Sequence, residues 1–343
     1  MVSVTICGHF GGNNNFLDGQ TVKTKNLYKA LTDKYGFNEV KKVDTYNWKK
    51  RPIKLLKECI NAAKNSKNII ILPAHNGIKV FVPLFTFLKK KYKFNLIYAG
   101  VGGWLAVYIN NKPKLSKKLK LIDEILVETK KMKKDLINLG FSNVDILLNF
   151  KIILPLSIDK LNYNFQKPYP VCTFSRVMKE KGIVDIIEII KNINKDEIIY
   201  TLDIYGPVSN EFKEEFETLK SEFPEYIKYK GCVDSNNSIE VISKYYLLLF
   251  PTRFETEGIP GTIIDALFSG VPVIATKWEN ATDIIIDNQT GFLVNMYDLE
   301  EFKNKMIECL DLKKIKVIKK NTLLKANDYI STNAIRGLIK YLK

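Results

Sequence analysis

Short, uninterrupted apolar runs recur along this chain with helix-length segments between them. That alternation constrains the fold more than any other feature. Residues 68–72 read NIIIL, 95–99 NLIYA, 246–250 YLLLF and 271–275 VPVIA. A strand covered on both faces needs no polar alternation, so such runs point to parallel sheets sandwiched by helices. Further strands are expected over 2–7, 40–43, 122–128, 144–147, 169–174, 201–205 and 227–229, with helices over 20–34, 52–65, 79–92, 130–139, 183–193, 299–310, 316–328 and 332–343. Strand and helix alternate almost throughout, which is the pattern of a doubly wound α/β sheet. A chain of 343 residues has room for two such domains.

The most distinctive stretch is 250–276, FPTRFETEGIPGTIIDALFSGVPVIAT. A buried strand ends at Phe250, and Pro251 and Thr252 break the pattern. Gly258, Ile259, Pro260 and Gly261 form a loop whose glycines let backbone approach a ligand closely. A helix follows from about Thr262, and Gly270 suits its C-terminal cap. The helix N-terminus then presents free N–H groups and a positive dipole end to whatever the loop holds. Glu257 and Asp265 frame this loop, eight positions apart.

A second constellation is Ser175-Arg176-Val177-Met178-Lys179-Glu180-Lys181-Gly182, directly after the strand expected over 169–174. Arg176 and Lys181 put two cations at that strand end. Near the start, Gly11 and Gly12, with Asn13 to Asn15 and Gly19, form a loop between strand and helix. Its spacing is not that of a dinucleotide fingerprint. Gly102, Gly103 and Trp104 follow the fourth strand and suggest a ligand wall. His9 and His75 are the only histidines, and no Asp-x-Asp or Cys-x-x-Cys pair occurs. A metal site therefore lacks ligands, and no cofactor is expected.

Charge is unevenly placed. Residues 1–160 carry 29 Lys and Arg against 11 acids, whereas 161–300 carry 13 against 22. A basic first half suits an anionic membrane surface, nucleic acid or a phosphorylated ligand. Phe81, Val82, Leu84, Phe85, Phe87 and Leu88 run into Lys89, Lys90, Lys91 and Lys93, a pattern that fits the headgroup boundary of an anionic bilayer. No apolar run reaches the roughly 18 residues of a membrane span. The five cysteines are scattered and odd in number, as in a reduced cytoplasmic protein.

The 250–276 stretch resembles the retaining GT-B glycosyltransferases of family 4, whose E-x7-E signature it matches with Asp265 in second place. The run 175–182 is similar to that family's diphosphate-binding element, with Ser175 where glycine is usual. Gly102-Gly103-Trp104-Leu105 resembles bacterial capsular and exopolysaccharide enzymes. The resemblance implies a GT-B fold of two Rossmann-like domains with an interdomain cleft. Residues 1–154 would form the acceptor domain, 155–168 a linker, 169–328 the nucleotide-sugar domain, and 329–343 a helix packing back on the first.

It further implies transfer of a sugar from a nucleotide sugar, expected to be a UDP-sugar, to a lipid-linked saccharide, with retention and without metal. Glu257, Arg176 and Lys181 would be catalytic. Gly11, Gly12, Gly19, Gly206, Val233, Gly258, Ile259, Pro260, Gly261, Thr262 and Asp265 would join them in binding the donor, with Asp265 at the ribose. Gly102, Gly103 and Trp104 would meet the acceptor. A peripheral place on the inner face of the membrane is expected. The alternatives are a GT-B nucleotide-sugar epimerase and a non-enzymatic, basic nucleic-acid-binding protein; no stacking-aromatic motif supports the latter.

Overall fold

The computed structural model describes residues 3–14, 16 and 18–343. Val2, expected in the first strand, and Asn15 of the glycine loop lie outside the described residues. The chain divides into two compact units, 1–152 with 329–343, and 153–328.

The first unit is built on strands β1 (Val4–Gly8), β2 (Val40–Asp44), β3 (Asn68–Ile71), β4 (Asn95–Ala99), β5 (Glu124–Val127) and β6 (Val144–Ile146). They lie in the order β2-β1-β3-β4-β5-β6, all parallel. Consecutive side chains point to opposite faces, and both faces are covered. Cys7, Ile69 and Ile71 enter one core, while Ile6, Ile70 and Leu72 enter the other. This is why the strands read as unbroken apolar runs.

Tyr329–Lys343 packs on the first unit, with Ala334, Ile335 and Leu338 in its core. Asn68 and Asn95, which open β3 and β4, hold the end of the chain: Asn68 Nδ2 donates to Lys343 O at 2.9 Å and Asn95 Nδ2 to Tyr341 O at 2.7 Å. The single helix expected over 332–343 is two short turns, Ser331–Ala334 and Arg336–Ile339.

The second unit has β7 (Tyr169–Phe174), β8 (Tyr200–Tyr205), β9 (Ile227–Gly231), β10 (Leu247–Phe250), β11 (Val273–Thr276) and β12 (Gly291–Val294). Their order is β12-β11-β10-β7-β8-β9, again all parallel. Residues 155–168, read as a linker, belong to this unit. Leu156 N donates to Phe268 O at 2.9 Å, and Leu161 is buried. The stretch lacks periodicity because it packs as irregular backbone, not because it is free.

Two boundaries also move. The helix expected from Lys79 begins at His75, taking in Gly77, and the one expected over 316–328 spans Leu312–Lys325.

Candidate active site

In each sheet the chain leaves its first strand in one direction and later returns on the other side. For the second unit that reversal falls between β7 and β10. At such a switch point the loops leaving the carboxyl ends of the two strands diverge and open a ligand crevice. The loops concerned carry Arg176 and Lys181 after β7, and Glu257 to Gly261 after β10.

The two loops are locked to each other. Gly182 has φ +68°, and a Cβ there would stand 2.1 Å from Pro251 O, so only glycine permits this approach. Gly206, after β8, is equally constrained: at φ +130° its Cβ would lie 1.8 Å from Ser175 O. Arg253 forms a fork with both carboxylate oxygens of Asp185, its Nε donating to Oδ2 at 3.0 Å, and its backbone N donates to Glu180 O at 2.7 Å. Arg253 is not among the expected site residues, although a guanidinium three residues past an apolar strand is a signal for it. Thr262 Oγ1 donates to Phe174 O at 2.5 Å, fastening the helix Gly261–Phe268 to the end of β7.

Within this frame Lys181 and Glu257 form an ion pair through Glu257 Oε1. Their side chains are 11% and 19% exposed. Thr252 Oγ1 also reaches Oε1, at 3.4 Å. The Lys181 ammonium lies 5.1 Å from the centre of the Phe250 ring and 4.9 Å from that of Phe254. Burial, and then the nearby positive charge of Arg176, push its pKa down to about 8. Arg176 itself is exposed.

Glu257 does not cap the following helix. Pro260 occupies the cap position and no side chain bonds there. The loop backbone is held from behind: Asn280 Nδ2 donates to Glu257 O at 2.7 Å, and Trp278 Nε1 to Gly258 O at 3.2 Å. Neither residue was singled out in the sequence, since both lie more than fifteen positions away. Ile259 is buried, and Asp265 lies in the helix at 4% exposure, so its carboxylate offers little surface to a ribose. Val233 is half-buried on the loop after β9.

In the first unit the reversal falls between β1 and β3. The loop after β1 holds Gly11 and Gly12, and Gly19 opens the next helix, Gly19–Tyr35. Asp44 organises this loop, accepting from Phe10 N at 2.9 Å, Gly12 N at 2.9 Å and Tyr46 N at 2.8 Å. Burial raises the Asp44 pKa, but these three N–H donors outweigh it and hold the group below the usual carboxylate value. Lys23 and Glu128, both buried, form an ion pair at 2.7 Å, and Lys23 Nζ also donates to Gly100 O at 2.7 Å.

The loop that follows β4 holds Gly102, Gly103 and Trp104. Trp104 is half-buried. Its Nε1 donates to Val101 O at 2.7 Å within its own loop, and His75 stacks on it with ring centres 3.8 Å apart. Tyr108 meets both rings edge-on.

Comparison with known proteins agrees with this geometry. Residues 169–311 match the family Glycosyl transferases group 1. The uncharacterised glycosyltransferase MJ1069 of Methanocaldococcus jannaschii is 26% identical over 166 residues, which is 46% of this chain and 40% of that protein. The capsular polysaccharide biosynthesis glycosyltransferase CapM of Staphylococcus aureus is 28% identical over 148 residues, covering 43% and 37%. The matches thus span about two fifths of the length of these relatives. Anabaena HepE, solved in complex with UDP, superposes with a TM-score of 0.74 over 98% of both chains at 14% identity. That likeness establishes the two-sheet architecture as the GT-B fold. Within it, residues 169–311 are a domain of the glycosyl transferases group 1 family.

Proposed function

We propose that this chain is a glycosyltransferase that takes a sugar from a nucleotide sugar, with UDP as the expected nucleotide, and passes it to a lipid-linked saccharide in surface polysaccharide synthesis. The observation that carries this reading is the convergence of Arg176, Lys181 and Glu257 at the β7/β10 switch point of a group 1 domain. A departing nucleoside diphosphate gathers negative charge as the glycosidic bond breaks. The two cations, with the N-terminus of the helix Gly261–Phe268, supply opposite charge where it develops. Glu257 accepts hydrogen bonds from the sugar hydroxyls. Retention at the anomeric carbon follows from the family resemblance, and a front-face route requires no enzymic nucleophile. Charge stabilisation of this kind needs no metal.

The acceptor reading is supported by capsule synthesis in the name of one relative, CapM. Among the described residues no helix is long and apolar enough to cross a membrane. We propose contact with an anionic bilayer on the first unit, through only part of the set suggested by sequence. Phe81, Val82, Phe85 and Leu88 are buried in the core, and Leu84 is partly buried against it. Phe87 is 68% exposed, and Val80 is also exposed, on the helix His75–Tyr92. Lys79, Lys90 and Lys91 are exposed on the same helix, and Lys114 and Lys117 on the helix Pro113–Leu119 packed against it.

The decisive experiment incubates the chain with a panel of radiolabelled nucleotide sugars and a lipid extract of bacterial membranes. Label moving into the lipid phase, dependent on one UDP-sugar, is the expected result. An epimerised free sugar nucleotide, or tight RNA binding with no turnover, would overturn the reading.

A further inference from the structure

Both histidines of the chain follow the strands that flank the first unit's switch point. His9 comes directly after β1, and His75 opens the helix that follows β3. Their settings differ. His75 stacks on Trp104, and its own backbone O accepts from Tyr108 OH at 3.3 Å. His9 is instead held through its ring nitrogen: Nδ1 lies 2.7 Å from Thr21 Oγ1, and Thr21 Oγ1 donates to Asp18 Oδ2 at 2.6 Å. Thr21 is fully buried and is fixed a second time, its backbone N donating to Asp18 Oδ1 at 3.0 Å.

This arrangement assigns the imidazole tautomer. A threonine hydroxyl has one proton, and here the carboxylate takes it as acceptor. Only a lone pair of Thr21 Oγ1 then remains for His9, so Nδ1 must carry the hydrogen. In the neutral ring Nε2 is therefore a bare acceptor. Among the described residues Nε2 has no hydrogen-bond partner, while Phe16 and Tyr46 pack beside the ring at 5.5 and 5.6 Å between centres. A relay that runs through the buried Thr21 to the exposed Asp18 and fixes one nitrogen, aromatic packing beside the ring, and an unused acceptor at the carboxyl end of a switch-point strand together describe a built contact for a hydroxyl.

We propose that His9 Nε2 accepts a hydrogen bond from the acceptor's attacking hydroxyl, with Thr21 and Asp18 as positioning residues. The inference rests on the transferase reading above. It assigns His9 an orienting contact only, which leaves the proton on the hydroxyl in the bound complex.

Two measurements on the full chain test it. The first needs no substrate. A long-range ¹H–¹⁵N spectrum of the imidazoles should show His9 in the Nδ1–H form, and Thr21→Val should shift it toward the Nε2–H form. A wild-type His9 in the Nε2–H form overturns the proposal.

The second compares His9→Asn, whose amide can replace Nδ1–H but leaves nothing at Nε2, with His9→Gln, which reaches the Nε2 position. Turnover of labelled UDP-glucose and UDP-N-acetylglucosamine is followed with water and with octyl glycosides as acceptors. Loss of one hydrogen bond predicts a fall of about tenfold in kcat/KM for His9→Asn, substantial retention in His9→Gln, and UDP affinity unchanged in both. Wild-type turnover in His9→Asn would show His9 to be purely structural. A wild-type chain that neither binds UDP nor turns over any sugar nucleotide overturns the transferase reading instead, and the spectrum still decides the relay.

Discussion

Glu257→Gln should strengthen UDP binding while slowing transfer. The sequence alone gives no reason for the first effect, since a sugar-facing acid stands apart from the diphosphate. The structure supplies one. Lys181, a cation expected to meet the diphosphate, is already engaged by Glu257. An incoming diphosphate must compete with that carboxylate for the ammonium. A charge-assisted hydrogen bond contributes roughly 1.5–3 kcal/mol when made in a protected site. At 11% and 19% exposure the pair is only partly shielded, so the lower end applies. Removing the competitor should return about 1.4 kcal/mol, or roughly a tenfold lower Kd for UDP.

Protonation sets the assay conditions. Lys181 is depressed to about 8 by burial and by Arg176. Titration calorimetry at pH 6.5 keeps the wild-type ammonium charged, and the gain should fade as pH rises through 8. Transfer should slow because an anion beside a sugar with positive character is lost in the transition state. Lys181→Met provides the control: it should weaken UDP binding, and adding Glu257→Gln to it should yield no gain. UDP affinity unchanged or weakened in folded Glu257→Gln would refute the competition argument. Normal turnover in that variant would remove Glu257 from catalysis.

Three further outcomes follow. Lys319 is 2% exposed with no hydrogen-bond partner for its ammonium, which sits 5.0 Å from the Phe165 ring centre, and burial depresses its pKa from 10.5 to about 7. The unfolded chain holds this proton up to about pH 10 and the folded chain loses it above about 7, so stability should rise between those values. Lys319→Met should flatten that rise and stabilise the protein at pH 7 by ~2–4 kcal/mol in urea melts. Transfer should persist in EDTA, and a full loss restored by a divalent cation would expose a metal site. Sedimentation with phosphatidylglycerol vesicles should exceed that with phosphatidylcholine and fall in Phe87→Ser with Lys90→Glu and Lys91→Glu; equal binding to both vesicle types would contradict the bilayer contact.

The architecture was legible because it rests on local signals. Unbroken apolar runs mark parallel strands, and the glycines at 182, 206 and 270 stand where backbone conformation or close approach requires them. The membrane-facing set was misread because a run of six apolar residues in eight does not reveal which side of its helix faces the core. The elements packed against it, β4 and the helices Pro52–Asn65 and Pro113–Leu119, decide that, with Phe81, Phe85 and Leu88 buried and Phe87 left outside.

The site itself was legible as a residue list but not as a circuit. Lys181 and Glu257 are 76 positions apart, and neither neighbourhood hints at the other. They meet because strand order, not sequence order, makes β7 and β10 neighbours, and because Gly182 lets one loop rest on Pro251. The same cause lies behind Arg253 with Asp185, 68 positions apart, whereas the relay from Asp18 through Thr21 to His9 is local, built on the cap of the helix that follows β1. In the long-range pairs the sequence supplies a group with chemical potential, and the topology supplies the partner that decides its state. A lysine becomes a competed cation, and a glutamate becomes its placeholder anion. Residue types at a switch point therefore indicate which chemistry is available, whereas the pairings that tune it are properties of the folded sheet.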